Sequence, residues 1–158
     1  MKNDFDLRDY VPYLLNRAAE KIAEMFSEEV APLGGTRQIW RVLSRLRANG
    51  PYRLGDLATD TSIEISTLSR LVVTMQRKRL IVRRRSAKDG RALTIELTAQ
   101  GRELTGLIVP IAIAYEEAAI RGLSKAETRE LRRILKKMYV NLEIFAAERA
   151  AGGLAKSA

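Results

Sequence analysis

Apolar residues recur every three or four positions along almost the whole chain, and only between 81 and 98 does that spacing fall to two. A period near 3.6 marks one face of a helix, and a period of two marks one face of a strand. These two periods commit the chain to a mainly α fold with one small β-element set inside it.

The helices can be placed from their stripes and their punctuation. Leu7, Val11, Leu14, Ala18, Ile22, Met25, Phe26 and Val30 predict a helix over 7–31, capped by Asp4 or Asp6 and stopped at Pro32, Gly34 and Gly35. Thr36 is placed to cap a second helix through Ile39, Trp40, Val42, Leu43 and Leu46, and Asn49-Gly50-Pro51 ends it. A short helix over Leu54–Thr59, a polar turn at Asp60-Thr61-Ser62 and a longer helix over 64–79 follow, the last with an inward stripe of Leu68, Leu71, Val72 and Met75. The pattern then changes. Leu80-Ile81-Val82 is β-prone, Asp89-Gly90 is a hairpin signal, and Leu93, Ile95 and Leu97 alternate with Thr94, Glu96 and Thr98. Leu104, Leu107, Ile108, Ile111, Tyr115 and Ala119 predict another helix, kinked at Pro110 and ended by Gly122. Ser124 and Glu127 form a capping box for the last helix, where Leu131, Leu135, Met138, Leu142 and Phe145 step by four and three like a coiled-coil seam.

The first and last helices are too long to bury a stripe each within one chain of 158 residues, so a second chain is expected to cover them. The organisation that follows is a dimerisation helix over 7–35, a compact domain over 36–98, dimerisation helices over 99–148 and a flexible tail over 149–158. The expected assembly is an obligate helical homodimer.

Charge says what the compact domain meets. The chain has 28 Lys and Arg against 19 Asp and Glu, a formal net charge of +9. Between Arg70 and Arg91 lie Arg70, Arg77, Lys78, Arg79, Arg83, Arg84, Arg85, Lys88 and Arg91, with Asp89 as the only acid. That stretch holds +8, and all other residues together hold +1. Diffuse basicity would be a solvated surface; charge gathered on one helix and the hairpin after it is the footprint of a polyphosphate. An anionic membrane surface fits less well, because the basic helix has no broad apolar face to insert.

The absence of Cys and His removes disulfides, thiol redox chemistry, thiolate metal sites and the commonest general base and zinc ligand. No cofactor, no metal and no enzymatic activity are expected. No stretch approaches a membrane span or a signal-peptide core, so the expected location is the cytoplasm.

Leu54 to Arg79 then reads as a helix-turn-helix, the second helix entering the major groove of double-stranded DNA. With Leu68 inward, a rotation of about 100° per residue sets Ser66, Arg70, Thr74 and Arg77 on the opposite face. Arg donates two hydrogen bonds to guanine, and hydroxyls meet bases or phosphates. The hairpin becomes a wing carrying Arg83, Arg84, Arg85, Lys88 and Arg91, and a tip Arg suits the narrow minor groove. Asp89 would repel phosphate, so its place is structural, fixing the tip.

These pieces in order resemble the MarR family of bacterial regulators. The matching stretches are Gln38 to Leu43, Leu54 to Ala58, Ser66 to Val72, Asp89 to Gly101 and Gly122 to Glu127, and the likeness runs from about Tyr10 to Phe145. The resemblance implies a winged helix-turn-helix homodimer joined by its first and last helices. It implies recognition contacts at Ser66, Thr67, Ser69 and Arg70, a minor-groove role for Arg91 and a supporting one for Asp89. It implies a repressor of neighbouring genes that binds a pseudo-palindromic operator and releases it when a small ligand, often an aromatic acid or phenol, binds. Arg79 departs from the family, which commonly has Gly after the recognition helix. The Gly34-Gly35 pair is also unusual and is expected to loosen the hinge between dimer frame and reading head.

Tyr13, Arg17, Trp40 and Tyr115 are the residues available for an effector pocket, Arg17 meeting a carboxylate. Stripes of this kind ordinarily build cores, so no effector residue is assigned. The competing function is an architectural DNA-binding protein without an effector.

Overall fold

The computed structural model describes residues 5–85 and 93–154. Two compact units divide the chain, Met1–Glu116 and Glu117–Ala158.

The first unit opens with a 3-10 turn, Leu7–Asp9, whose cap is Asp6: its carboxylate accepts from Arg8 N–H at 2.8 Å. The α-helix expected from residue 7 begins later, as α1 over Val11–Val30. Pro12 is the reason. It has no N–H to donate, and its ring would strike the carbonyl of Arg8, so it sits in the first turn of a new helix. At the far end Ala31–Leu33 forms a second 3-10 turn, and Gly34 takes the left-handed conformation, φ 74°. Helix α2, Arg37–Asn49, is capped by Thr36, whose hydroxyl accepts from Ile39 N–H at 3.2 Å.

Helix α3 covers Leu54–Thr61, two residues beyond the expected end. Thr61 stays helical because its buried hydroxyl donates to Leu57 carbonyl at 2.6 Å. Helix α4 spans Ile65–Arg77. Strands β1, Ile81–Arg85, and β2, Leu93–Leu97, pair antiparallel with Arg83 opposite Ile95. Tyr52 bridges the outer edge of β2, exchanging both backbone bonds with Ile95 at 3.1 and 2.8 Å. Nothing in the apolar period announced that third, single-residue strand.

Helix α5, Ala99–Ala119, continues through Pro110. One core then joins the elements of the first unit from the end of α1 to the first half of α5. Phe26 and Val30 of α1 and Leu104 and Ile108 of α5 pack in the same cluster as Ile39, Leu43, Leu57, Leu68, Val72, Met75 and Ile95. The core is continuous across 35/36: Phe26 and Val30 at the end of α1 share it with the elements that follow. Gly35 is buried, and a Cβ there would lie 3.2 Å from both the Ile108 side chain and the Val30 carbonyl. Lys78 Nζ donates to Gly34 carbonyl at 3.1 Å. The glycine pair is a packed, pinned turn rather than a loose hinge.

In the second unit α6 spans Lys125–Leu154. Its capping box forms as expected, with Ser124 N–H donating to the Glu127 carboxylate at 2.8 Å and Glu127 N–H to the Ser124 hydroxyl at 3.2 Å. The helix persists through 149–154, inside the expected tail, because Ala146, Ala147, Ala150 and Ala151 are the strongest helix formers. None of its residues from 125 to 152 is buried, and Leu131, Leu135, Leu142 and Phe145 are all exposed. No helix among the described residues is long and apolar enough to cross a membrane.

Candidate nucleic-acid interface

Helix α4 is held by three buried side chains on one face, Leu68, Val72 and Met75. Each such burial is worth about 1.5–3 kcal/mol, which fixes the helix rotation without help from polar contacts. The opposite face presents Ser66, Arg70, Thr74 and Arg77, all exposed, and half-covered Thr67 and Ser69 lie on its flanks. Thr74 hydroxyl donates back to Arg70 carbonyl at 3.1 Å. The structure therefore gathers all six expected recognition residues on one element. It adds two exposed apolar side chains, Ile65 at the first helical position, 53% exposed, and Val73 further along the helix, 40% exposed. Ile65 is an apolar side chain at the leading tip, able to meet a thymine methyl.

Both ends of α4 are closed by devices the apolar pattern does not reveal. At the N-terminus Glu64 is the cap: one carboxylate oxygen accepts from Ser66 N–H at 2.9 Å and the other from Thr67 N–H at 2.9 Å, and the Ser66 hydroxyl also donates to the second. These bonds, the Ser66 hydroxyl first, lower the carboxyl pKa to about 2. At the C-terminus Arg79 N–H donates to Gln76 carbonyl at 2.9 Å and Leu80 N–H to Met75 carbonyl at 3.0 Å, the paired bonds of a Schellman motif. That motif needs a left-handed residue, and Arg79 takes it with φ 57°.

Beyond this cap the chain turns into the wing through a tight junction. Thr98 hydroxyl donates to Arg79 carbonyl at 2.6 Å and accepts from Gly101 N–H at 3.0 Å. A Cβ on Gly101 would lie 2.0 Å from the Leu80 carbonyl oxygen. The Leu-Thr…Gly stretch after the hairpin is thus a steric requirement: only glycine lets α5 start against the end of α4.

The register of the hairpin sorts its arginines. Arg83 is opposite buried Ile95, so its half-buried stem shares the inner face. Arg84 lies opposite Thr94 on the other face, and its Nε is 3.8 Å from Glu96 Oε2. Glu96 thus tempers one wing cation, an acid the strand alternation had treated only as an outward residue. Arg85 is exposed at the end of β1. Lys88, Asp89 and Arg91 lie outside the described residues. Lys78, one of the nine basic residues of the stretch from Arg70 to Arg91, is engaged with the Gly34 carbonyl.

Comparison with known proteins decides what this geometry belongs to. The MarR family model matches residues 36–93. A probable transcriptional regulator from Pseudomonas aeruginosa is 30% identical, with a TM-score of 0.70, over 84% of this chain and 99% of that one. The chain belongs to the MarR family. Bordetella bronchiseptica BpsR, whose DNA binding is regulated by 6-hydroxynicotinic acid, is 26% identical with a TM-score of 0.77, over 87% of this chain and 98% of that one. The transcriptional repressor IacR of Pseudomonas putida is 23% identical over 89% of this chain and 84% of its own length. The protein is a MarR-family, winged-helix transcription regulator.

Of the residues weighed for an effector pocket, Trp40 and Tyr115 pack against the core. Trp40 and Tyr115 flank Phe26, with ring centroids 6.0 and 6.2 Å away, and Tyr115 hydroxyl donates to Met25 carbonyl at 3.2 Å. Arg17 lies over the Tyr13 ring, 5.6 Å from its centroid. A separate open cavity of about 520 Å³ is lined by Leu33, Lys78, Leu80, Glu103, Leu104 and Leu107 among others. Among the described residues no cluster of three or more acids could hold a metal ion.

Proposed function

We propose that this MarR-family protein is a cytoplasmic, homodimeric repressor that reads a pseudo-palindromic operator through α4 and the wing. The observation that carries the reading is the outer face of α4: six polar or cationic side chains on a helix capped at both ends, next to a strand of three consecutive arginines. In this reading Ser66, Thr67, Ser69, Arg70, Thr74 and Arg77 meet the major groove, and Arg83, Arg84, Arg85, Lys88 and Arg91 meet phosphates or the minor groove. Asp89 supports the wing. Dimerisation is supported by α6, a helix of about 45 Å with an uncovered apolar seam, and by exposed Val11, Leu14, Ile22 and Met25 on α1. Two copies place two recognition helices on one duplex, which is why the operator repeats as an inverted pair.

Relief by a small, aromatic or phenolic ligand is supported by the likeness to BpsR and by the cavity between the α1–α2 turn, the end of α4 and the start of α5. The protein does its work by binding, without enzymatic turnover.

The test is anisotropy titration on duplexes from the protein's own promoter. Arg70→Ala is expected to weaken binding at least about tenfold, the loss of one bidentate base contact, while Arg149→Ala on α6 binds as wild type. Equal binding by both variants refutes the recognition helix. Equal affinity for operator and random DNA at matched salt makes the protein architectural instead.

A further inference from the structure

Glu64 does more than close the end of α4, because it also fixes the polarity of the first hydroxyl on the reading face. A serine hydroxyl has one proton and two lone pairs, so an unrestrained Ser reads donors and acceptors alike. A carboxylate that has lost its proton can only accept. The Ser66 hydroxyl bonds to the Glu64 carboxylate, so its proton points to Glu64 and only its lone pairs face outward. The arrangement is rigid, since the same carboxylate is held by the N–H groups of Ser66 and Thr67 at 2.9 Å each. Those two N–H donors are thereby used up and unavailable to a phosphate. The depressed pKa keeps the carboxylate charged at any working pH.

We propose that Glu64 is a specificity-determining positioning residue, which makes Ser66 a pure hydrogen-bond acceptor that selects an amino base over a keto base in the operator. In the major groove the amino edges are adenine N6 and cytosine N4, and the keto edges are guanine O6 and thymine O4. Ser66 therefore favours adenine over guanine, or cytosine over thymine, at the one half-site position it reaches. The inference rests on the reading of α4 as the groove-facing helix.

The experiment uses the full chain. The preferred duplex is selected from a randomised pool, and wild type, Ser66→Ala, Glu64→Gln, Glu64→Ala and Arg70→Ala then compete for its single-base variants at one salt concentration. In wild type one position prefers amino to keto bases. Ser66→Ala lowers that preference by about fivefold, the ratio one net hydrogen bond gives. Glu64→Gln lowers it similarly at the same position and leaves the others unchanged, because two N–H groups and a hydroxyl then compete for a single amide oxygen. Glu64→Ala gives the same local change, which a general loss of helix stability would not confine to one base. A keto preference at the Ser66 position overturns the inference, as does a Glu64→Gln profile identical to wild type. So does a Ser66→Ala profile unchanged at every position. If Arg70→Ala weakens binding while the Ser66 and Glu64 profiles stay intact, the recognition helix stands and the role of Glu64 falls. If Arg70→Ala also binds as wild type, both fall.

Discussion

Arg79 is a place where the fold and the interface pull against each other, and the conflict can be measured. Its φ of 57° is imposed by the Schellman bonds that end α4. A left-handed backbone costs a side-chain-bearing residue about 1–2 kcal/mol. Glycine avoids that cost but loses about 0.5–1 kcal/mol more backbone entropy on folding. Arg79→Gly should therefore be more stable than Arg79→Ala by about 0.5–1 kcal/mol, or roughly 1–4 °C in Tm for a chain of this length. Arg79→Ala is the proper reference, since both variants lose the same charge at the C-terminal end of the α4 dipole. The bonds themselves survive either change, because donors and acceptors at residues 75, 76, 79 and 80 are all backbone. Urea unfolding at one protein concentration reads the difference. DNA binding should move the other way. If Arg79 meets a phosphate, either variant lowers the salt slope of operator binding by about 0.9 for each chain that loses the contact. Arg79→Gly no more stable than Arg79→Ala would show that no strain is stored there.

Three further outcomes follow from the same region. Gly101→Ala should destabilise by at least about 3 kcal/mol or leave no folded protein in thermal melts, because its Cβ would lie 2.0 Å from a backbone carbonyl oxygen that cannot rotate away. Thr98→Val should cost about 1–2 kcal/mol in urea unfolding, since it strips a donor from Arg79 carbonyl and an acceptor from Gly101 N–H while keeping the shape. Glu64 gives a pH signature. Its carboxyl falls from the ordinary 4.5 to about 2 in the folded state, so its contribution is complete above the ordinary value and fades as pH drops through the folded one. The stability gap between wild type and Glu64→Gln should be constant in neutral solution and close between pH 4.5 and about 2; a gap independent of pH across that window would mean the cap does not form.

The features that proved legible in the sequence are those set by periodicity and by local capping rules. The inward stripe of Leu68, Val72 and Met75 fixed which side of α4 faces outward, and the Thr36 and Ser124 caps formed where their side chains predicted. What escaped the sequence depends on contacts between residues distant in the chain. Gly35 looked like slack because its neighbours Val30 and Ile108 come from two other helices. Tyr52 joins the sheet through a single residue, too short to leave an alternation. Glu64 was hidden for a different reason: just ahead of the helix it looks like any surface acid, and only the cap geometry shows its bonds to Ser66 and Thr67. The delayed start of α1 was legible in principle, since Pro12 bars a helix running in from Leu7.

The contacts at the end of α4 also constrain how a ligand could release DNA. Lys78 is bonded to Gly34, the Arg79 carbonyl to Thr98, and the Leu80 carbonyl lies against Gly101. Three successive residues after the recognition helix are thus fastened to the α1–α2 turn and to the first turn of α5. The contacts of Arg79 and Leu80 have little slack: one is a hydrogen bond of 2.6 Å to the backbone carbonyl, and the other leaves no room for a methyl group. Helix α4 cannot slide along its axis while they hold, so release by local movement of α4 would have to break them together. Displacing the α1–α2 turn or the start of α5 carries α4 with it instead, at no cost in these bonds. A ligand wedged into the cavity lined by Leu33, Lys78, Leu80 and Leu104 meets all three parts at once. It can shift the equilibrium only by binding better to the arrangement in which the recognition helix no longer fits its groove.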